Sequence, residues 1–240
     1  MPRNAHDQRP FLTARWRRLI LAQYEADPAL LTPRLPAGLK LDTWQDHVYV
    51  SVVAFEFLDT RVKGIRVPGC VNFPEVNLRF YVTDGERRGV CFVRELVPSR
   101  LTSFVARAVY IEPYARAAMS VSTAESDGDI HIDHRFRFGG KEHRIGARVS
   151  AERHVPEQGS PEHHFKEHEW GFGRTRRGAP TLYRVEHPVW ATHRVLDTRI
   201  DIDAGALYGD EWAWLGDAEP HSVVVADGSE VAVYPWTQRD

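Results

Sequence analysis

Between Phe73 and Leu96 the chain reads FPEVNLRFYVTDGERRGVCFVREL, two alternating runs joined by an Asp-Gly turn. That pattern commits the segment to an antiparallel hairpin. Successive side chains of a strand point to opposite faces, and Asp-Gly suits a tight reversal. In the first run Val76, Leu78, Phe80 and Val82 share one parity, while Glu75, Asn77 and Arg79 share the other. An acid, an amide and a guanidinium therefore face one side. One reading makes that side the solvent face of a sheet, where alternating polar residues are ordinary. The other makes it the inside of a closed sheet, where repeated polar groups line a ligand cavity. The second run carries Arg94 and Glu95 inside the apolar stretch CFVREL, which favours the cavity. A buried Arg requires a carboxylate from the protein or from a ligand. On this reading Glu75 and Arg94 point inward, toward each other or a shared pocket.

The rest of the chain is strand-rich. WRRLILAQY (Trp16–Tyr24) and HVYVSVVAFEF (His47–Phe57) have the β-branched and aromatic content of strands. Between them DPALLTPRLPAGL predicts a short helix, with Asp27 as N-cap, Pro28 in the first turn and a stop at Pro36-Ala37-Gly38. Residues 58–74 read as a loop. SRLTSFVARAVY predicts a second short helix capped by Ser99. Strands are predicted at Ala117–Ala124, Ile130–Phe138, His143–Ser150, His164–Phe172, Leu182–His187, Val189–Leu196 and Val223–Val233, with a helical turn in AGALYGDEWAWLG. Many short strands and few helices imply a barrel or a closed, strongly bent sheet with helices packed on it. Residues 1–12 read as a flexible polar leader and 13–240 as a single α+β domain.

A second polar cluster is EHHFKEHEWGFG, with His163, His164, His168 and Glu169. On a helix His164 and His168 would share a face, but the zinc-protease pattern needs Glu directly after the first His, and Phe165 stands there. On a strand His164, Lys166, His168 and Trp170 share a face, and a ligand-lining His is preferred to a metal ligand. VEHPVW adds His187 and Trp190, with Pro188 marking a strand end. Phosphate loops, nucleophile elbows and Cys-x-x-Cys pairs are absent from the sequence, and no cofactor or metal is expected. GRTRRG (Arg174, Arg176, Arg177) reads as a charged turn, with nucleic-acid binding a weak alternative.

Composition narrows the partners. With 240 residues, 42% of them hydrophobic, the chain can build one substantial core or two small ones. Its 31 basic and 33 acidic residues create no global field for nucleic acid or an anionic membrane, so neither is expected as a partner. Cys70 and Cys91 read as buried thiols rather than a disulfide framework. No apolar run has membrane-spanning length and MPRNAHDQRP lacks an apolar signal core, so a cytoplasmic location is expected. Lysines are scarce: Lys40, Lys63, Lys141 and Lys166.

Four segments in order resemble the uncharacterised YqjF-like family, a domain of unknown function: LPAGLKLDTWQDHVYVSVVAF, PEVNLRFYV with RGVCFVREL, ARAVYIEPYARAAM, and FKEHEWGFG followed by YRVEHPVW. That family is distantly similar to acetoacetate decarboxylase. The resemblance implies a bent antiparallel β-barrel or sheet around a cavity, with a few flanking short helices. It also implies site positions: Arg17 lies near the decarboxylase's early Arg, Glu75 matches its cavity Glu, and VREL (Val93–Leu96) matches the stretch before its lysine pair. The lysines themselves are missing, since Arg100, Leu101 and Thr102 stand where they would be expected. Arg forms no imine, because it stays protonated.

Three functions remain open. In the first, the barrel is an enzyme acting on an organic acid without an imine. Arg17, Arg94 or Arg100 would hold a carboxylate, Glu75 would act as acid or base, and His168 would assist. In the second, it is a non-catalytic ligand-binding or scaffold protein whose polar interior groups satisfy one another; for a ligand, the expected lining residues are Arg17, Asn77, Arg79, Arg94, Arg100, His168 and Trp170. In the third, Lys166 is a migrated imine-forming lysine. The expected partner is an unidentified small molecule, with a carboxylate as the candidate class, and a homo-oligomer is compatible with all three.

Overall fold

The computed structural model describes residues 9–98, 114–175 and 177–238. Strands β1 (Leu12–Glu25), β4 (His47–Val62), β5 (Phe73–Thr83) and β6 (Arg88–Val97) are the long elements of the N-terminal half, with β2 (Lys40–Leu41) and β3 (Thr43–Trp44) as short additions. Then come β7 (Tyr114–Arg116), β8 (Ala118–Ser126), β9 (Asp129–Phe138) and β10 (Lys141–His154). The C-terminal part holds β11 (Trp170–Arg174), β12 (Pro180–Glu186), β13 (Thr192–Asp201), β14 (Ser222–Ala226), β15 (Glu230–Val233) and β16 (Thr237–Gln238). Among the described residues, three short α-helices, Pro28–Leu31, Pro161–Lys166 and Ala204–Tyr208, join them.

Seven strands close on themselves in the order β1-β4-β5-β6-β11-β12-β15 and back to β1. All pairs in this ring are antiparallel except β6 with β11. Closure depends on a kink in β1. Arg17 pairs with Glu56 and Ile20 with Ala54, so three steps on β1 oppose two on β4, and Arg18 sits at φ +56°. An extra residue of this kind bends a strand and reverses its side-chain parity. Before the kink β1 pairs with β15 through Leu12–Arg15; after it, Leu19–Gln23 pair with β14. From β14 the sheet continues through β13, β10 and β9 to β8, an arm that packs over the outside of the barrel.

Alternation divides the apolar residues between two cores. On β4 and β5, Val50, Val52, Ala54, Val76, Leu78 and Phe80 face the arm and meet Ile132, Phe136, Ile145 and Val149. Leu207, Trp212 and Leu215, from the Ala204–Tyr208 helix and the 3-10 turn at Asp210–Gly216, seal that core. The opposite parity, Val53, Phe55 and Phe57, faces the barrel interior with Leu12, Leu21, Tyr183, Val185 and Val231. Fully burying each such aliphatic or aromatic side chain contributes about 1.5–3 kcal/mol, so both faces of β4 and β5 are stabilising.

Several sequence expectations are adjusted. Asp27 does cap the first helix, accepting from the Ala29 N–H at 2.8 Å. The loop expected over 58–74 is partly strand, since β4 runs to Val62 and pairs it with Leu12. The leader expected over 1–12 overlaps the barrel. The Phe11 N–H donates to the Val233 carbonyl at 2.8 Å, and β1 begins at Leu12. Val223–Val233 is two strands, β14 and β15, which flank the two halves of β1. His164–Phe172 is a helix to Lys166 and a strand only from Trp170. The helix expected after Ser99 lies outside the described residues, as does Arg176. Among the described residues, no helix is long and apolar enough to cross a membrane.

Candidate functional site

The inner parity of β5 is where the polar residues gather. Glu75, Asn77 and Arg79 line the barrel cavity with Glu95, Lys166 and His168, against a wall that includes Trp16, Phe55, Tyr114, Tyr183 and Trp190. Glu75 is 4% exposed, Asn77 2%, Glu95 3%, Lys166 2% and His168 8%, so five polar side chains are held away from water. The cavity's free volume is about 80 Å³, space for several water-sized groups at roughly 10–15 Å³ each.

β5 and β6 set the floor. Asn77 donates its side-chain N–H to Glu75 Oε1 at 3.0 Å. Asn77 lies opposite Glu95 in the ladder, and Glu95 bonds the Tyr114 hydroxyl on neighbouring β7. Burial pushes the Glu75 carboxyl up to about 7, against the opposing pull of the Asn77 hydrogen bond. Burial and the neighbouring Glu95 and Glu75 carboxylates push the Tyr114 phenol well above its ordinary range.

The Pro161–Lys166 helix closes one end. Ser160 caps it, accepting from the His163 N–H at 3.2 Å, and Pro161 opens its first turn. Phe165, fully buried, wedges between Tyr49 and Tyr81 at ring distances of 5.0 and 5.4 Å. Its carbonyl accepts from Arg79 Nη2 at 3.2 Å and from the Tyr81 hydroxyl at 3.3 Å. The helix end delivers Lys166 to the cavity, where its ammonium pairs with Glu167. His168 follows, its ring 4.9 Å from Tyr81. Burial first, then the Arg79 and Arg88 guanidinium groups, hold the His168 imidazole well below its ordinary pKa, so it is neutral. Neither of its ring nitrogens has a hydrogen-bond partner among the described residues. Gly171 keeps the wall thin, since a Cβ there would stand 2.0 Å from the Tyr183 ring.

The expected site residues divide. Glu75, Asn77, Arg79, His168 and Trp170 line the cavity, and Lys166 joins them although it stands on a helix rather than a strand. Arg94 does not. Leu78 pairs with Arg94 and Arg79 with Phe92, so Val93 is an extra residue that shifts the parity of β6. Arg94 is thereby turned to the outer core, where it donates to the Leu207 carbonyl, and Glu95 takes the inward position. Arg17 also points away: the kink in β1 leaves Trp16 inside, and Arg17 bonds the Trp16 carbonyl at 2.9 Å and approaches Glu230 at 3.7 Å. Arg100 lies outside the described residues. Tyr114 and Tyr183, which carried no sequence signal beyond being aromatic, also line the cavity. His187 and Trp190 of VEHPVW stack at 4.3 Å on its wall. His163 and Glu169 are not among its lining residues, and His164 instead bonds Arg88 at 2.8 Å.

Comparison with known proteins places this architecture. The chain resembles the uncharacterized protein YqjF of Bacillus subtilis strain 168, 32% identical over 115 residues. That match covers 48% of this chain and 46% of YqjF, so it spans about half the length of each. Among solved structures, an acetoacetate decarboxylase-like enzyme from Sphingomonas wittichii RW1 superposes with a TM-score of 0.62 at 15% identity, covering 95% of this chain and 94% of that one. Acetoacetate decarboxylase from Legionella pneumophila subsp. pneumophila str. Philadelphia 1 gives 0.63 at 13% identity, covering 99% and 90%. The enduracididine biosynthesis enzyme MppR, complexed with pyruvate, gives 0.62 at 15%, covering 97% and 91%. At these identities the likeness is one of fold. A family model, that of DUF2071, matches residues 13–230. With nearly the whole chain matched and the barrel shared with these structures, the protein belongs to the DUF2071 family of uncharacterized conserved proteins and has an acetoacetate decarboxylase-like fold.

Proposed function

We propose that the barrel holds a small organic acid and does so without the imine-forming lysine of acetoacetate decarboxylase. One observation carries this reading: Arg79 and Lys166 share a largely apolar cavity with Glu75, Asn77 and His168. Arg79 there keeps a buried Nε–H with no partner among the described residues, and such a group suits an anion, because desolvation strengthens charge-assisted hydrogen bonds. A free volume of about 80 Å³ limits that anion to a few heavy atoms. The sequence supports the second half of the reading, since Arg100, Leu101 and Thr102 stand where the family resemblance expects lysine.

Turnover by acid–base chemistry at Glu75 is the second reading. A carboxyl pushed up to about 7 populates both protonation states near neutral pH, which is what a general acid or base needs. Lys166 supplies a third, because its side chain faces the same cavity. Imine formation there requires a neutral amine, so the pair with Glu167 must first be given up.

A thermal-shift screen of short mono- and dicarboxylates tests the binding. A ligand at about 100 times its Kd adds about 2.7 kcal/mol of stability, and Arg79→Met should abolish the shift. No shift with any acid would overturn the proposal. Incubation with acetoacetate and borohydride, read by intact mass, tests the rest. No adduct is expected, and one that forms in the native protein but not in Lys166→Ala would promote the lysine reading.

A further inference from the structure

The polar atoms left over in the cavity constrain what the acid carries besides its carboxylate. Asn77 is 98% buried, and its amide nitrogen is committed to Glu75 Oε1 at 3.0 Å. That bond fixes the orientation of the amide. When Glu75 is ionised its carboxylate accepts and does not donate, so nitrogen then faces Glu75 and Oδ1 faces away. Asn77 Oδ1 is buried and has no hydrogen-bond partner among the described residues.

Arg79 stands two residues along the same strand, on the same face, roughly 7 Å away. Its Nη2 donates to the Phe165 carbonyl, while its buried Nε–H has no partner among the described residues. The two neighbours thus make opposite demands: Asn77 Oδ1 requires a donor, and Arg79 Nε requires an acceptor. His168, neutral and unpartnered among the described residues, can meet either kind of group.

We propose that the ligand of this cavity is a short hydroxy acid, whose carboxylate meets Arg79 and whose hydroxyl donates to Asn77 Oδ1. This rests on the reading of the barrel as an organic-acid site and goes beyond it by naming the class. A keto acid of the same skeleton presents only acceptors, and its carbonyl oxygen would face Asn77 Oδ1 lone pair to lone pair. Sites built to hydrogen-bond a substrate hydroxyl discriminate strongly against analogues lacking it. Asn77 is then the specificity-determining residue. Glu75 acts on specificity as a positioning residue, by holding the amide in one orientation. Among the described residues, the titratable cavity groups around Glu75 are Arg79 on its own strand, Glu95 on β6, Tyr114 on β7, Tyr183 on β12, Lys166 at the end of the Pro161–Lys166 helix, His168 just after it, and His187.

Calorimetric titration at about pH 8, where Glu75 is mostly ionised, with matched pairs tests this: lactate against pyruvate, and 3-hydroxybutyrate against acetoacetate. The hydroxy member of at least one pair should bind about tenfold or more tightly than its keto partner. Asn77→Leu should remove that preference. Glu75→Gln should weaken it as well, because a Gln amide can donate to Asn77 Oδ1 and let the Asn77 amide turn over; this variant decides the matter if Asn77→Leu fails to fold. Equal or tighter binding of the keto acids would overturn the hydroxy-acid inference and leave the organic-acid reading standing. A preference unchanged in the folded variants would overturn the assignment to Asn77. Absence of binding by all four acids and by other short carboxylates would overturn both.

Discussion

Asn77 donates to Glu75 across 3.0 Å inside the barrel, two residues apart on one strand and on one face of it. The pair makes the interior of the barrel a titrating site. A carboxyl that is fully enclosed resists ionisation, and one amide hydrogen bond only partly offsets that resistance.

Glu75 should therefore make the protein less stable as pH rises. Its folded pKa, about 7, lies above its ordinary value of 4.5. Between those values the folded state binds more protons than the unfolded state, so stability falls from about pH 4.5 to about pH 7 and is then level. The full effect is about 3 kcal/mol. Glu75→Gln, a neutral isostere, should match the native protein near pH 4 and exceed it by up to about that amount near pH 8. Urea denaturation at the two pH values checks the difference, and parallel profiles would refute it.

His134 should act with the opposite sign. Burial, reinforced by the Arg18 guanidinium, lowers its pKa from 6.5 to about 4, although its Nε2 bonds the Arg18 carbonyl at 2.9 Å. The unfolded state then binds more protons between those values. Its contribution is complete above about pH 6.5 and lost as pH falls toward 4, again about 3 kcal/mol in full. His134→Gln should remove that rise and leave the opposing fall from Glu75 uncancelled. The two residues titrate over overlapping windows, so the native protein should show a shallower profile than either variant.

Arg94→Ala should cost stability without touching the cavity. The guanidinium fastens β6 to the Ala204–Tyr208 helix through the Leu207 carbonyl. Loss of a charge-assisted hydrogen bond of this kind costs about 1.5–3 kcal/mol. Any carboxylate that raises the melting temperature of the native protein should raise that of the variant equally. A lost ligand shift would show that Arg94 reaches the site.

Gly89→Ala should loosen the barrel at its one parallel seam. A Cβ at Gly89 would stand 2.3 Å from the Trp170 carbonyl oxygen and 2.8 Å from the Phe172 ring, and Gly89 pairs with Trp170 between β6 and β11. Because the nearest atom is backbone, the strands must separate. The expected loss is about 3 kcal/mol, the upper end of ordinary overpacking, read from the denaturation midpoint. A change below about 1 kcal/mol would mean the seam is compliant.

The site was legible where side-chain direction is a local matter. Glu75, Asn77 and Arg79 lie within one uninterrupted strand, and a period of two is set by backbone geometry alone. The same rule failed for Arg94, because Val93 inserts one residue into the β6 ladder and reverses everything beyond it. Arg17 was placed by the family resemblance, which does not set side-chain direction; it follows the cavity-lining Trp16 on β1, ahead of the kink at Arg18, so alternation turns it outward. Neither inserted residue has a sequence mark, such as glycine, to announce it. Lys166 and His168 reached the cavity by a route the strand reading did not contain, a capped helix turn whose Ser160 and Pro161 were visible in the sequence but were not read as a helix start.

By itself, then, the sequence determined most of the strands, the two-faced character of β5, the first capped helix and the polar trio. Each of these depends on neighbours only a few residues away. The tertiary structure decided which face became the interior. It closed β1 against both β4 and β15, chose Glu95 over Arg94, and brought Tyr114, Lys166, His168 and Tyr183 to Glu75 from distant parts of the chain. The physical reason is that alternation fixes relative direction along one strand. Inside and outside exist only once the ring is shut, and a single unpaired residue in any ladder exchanges them.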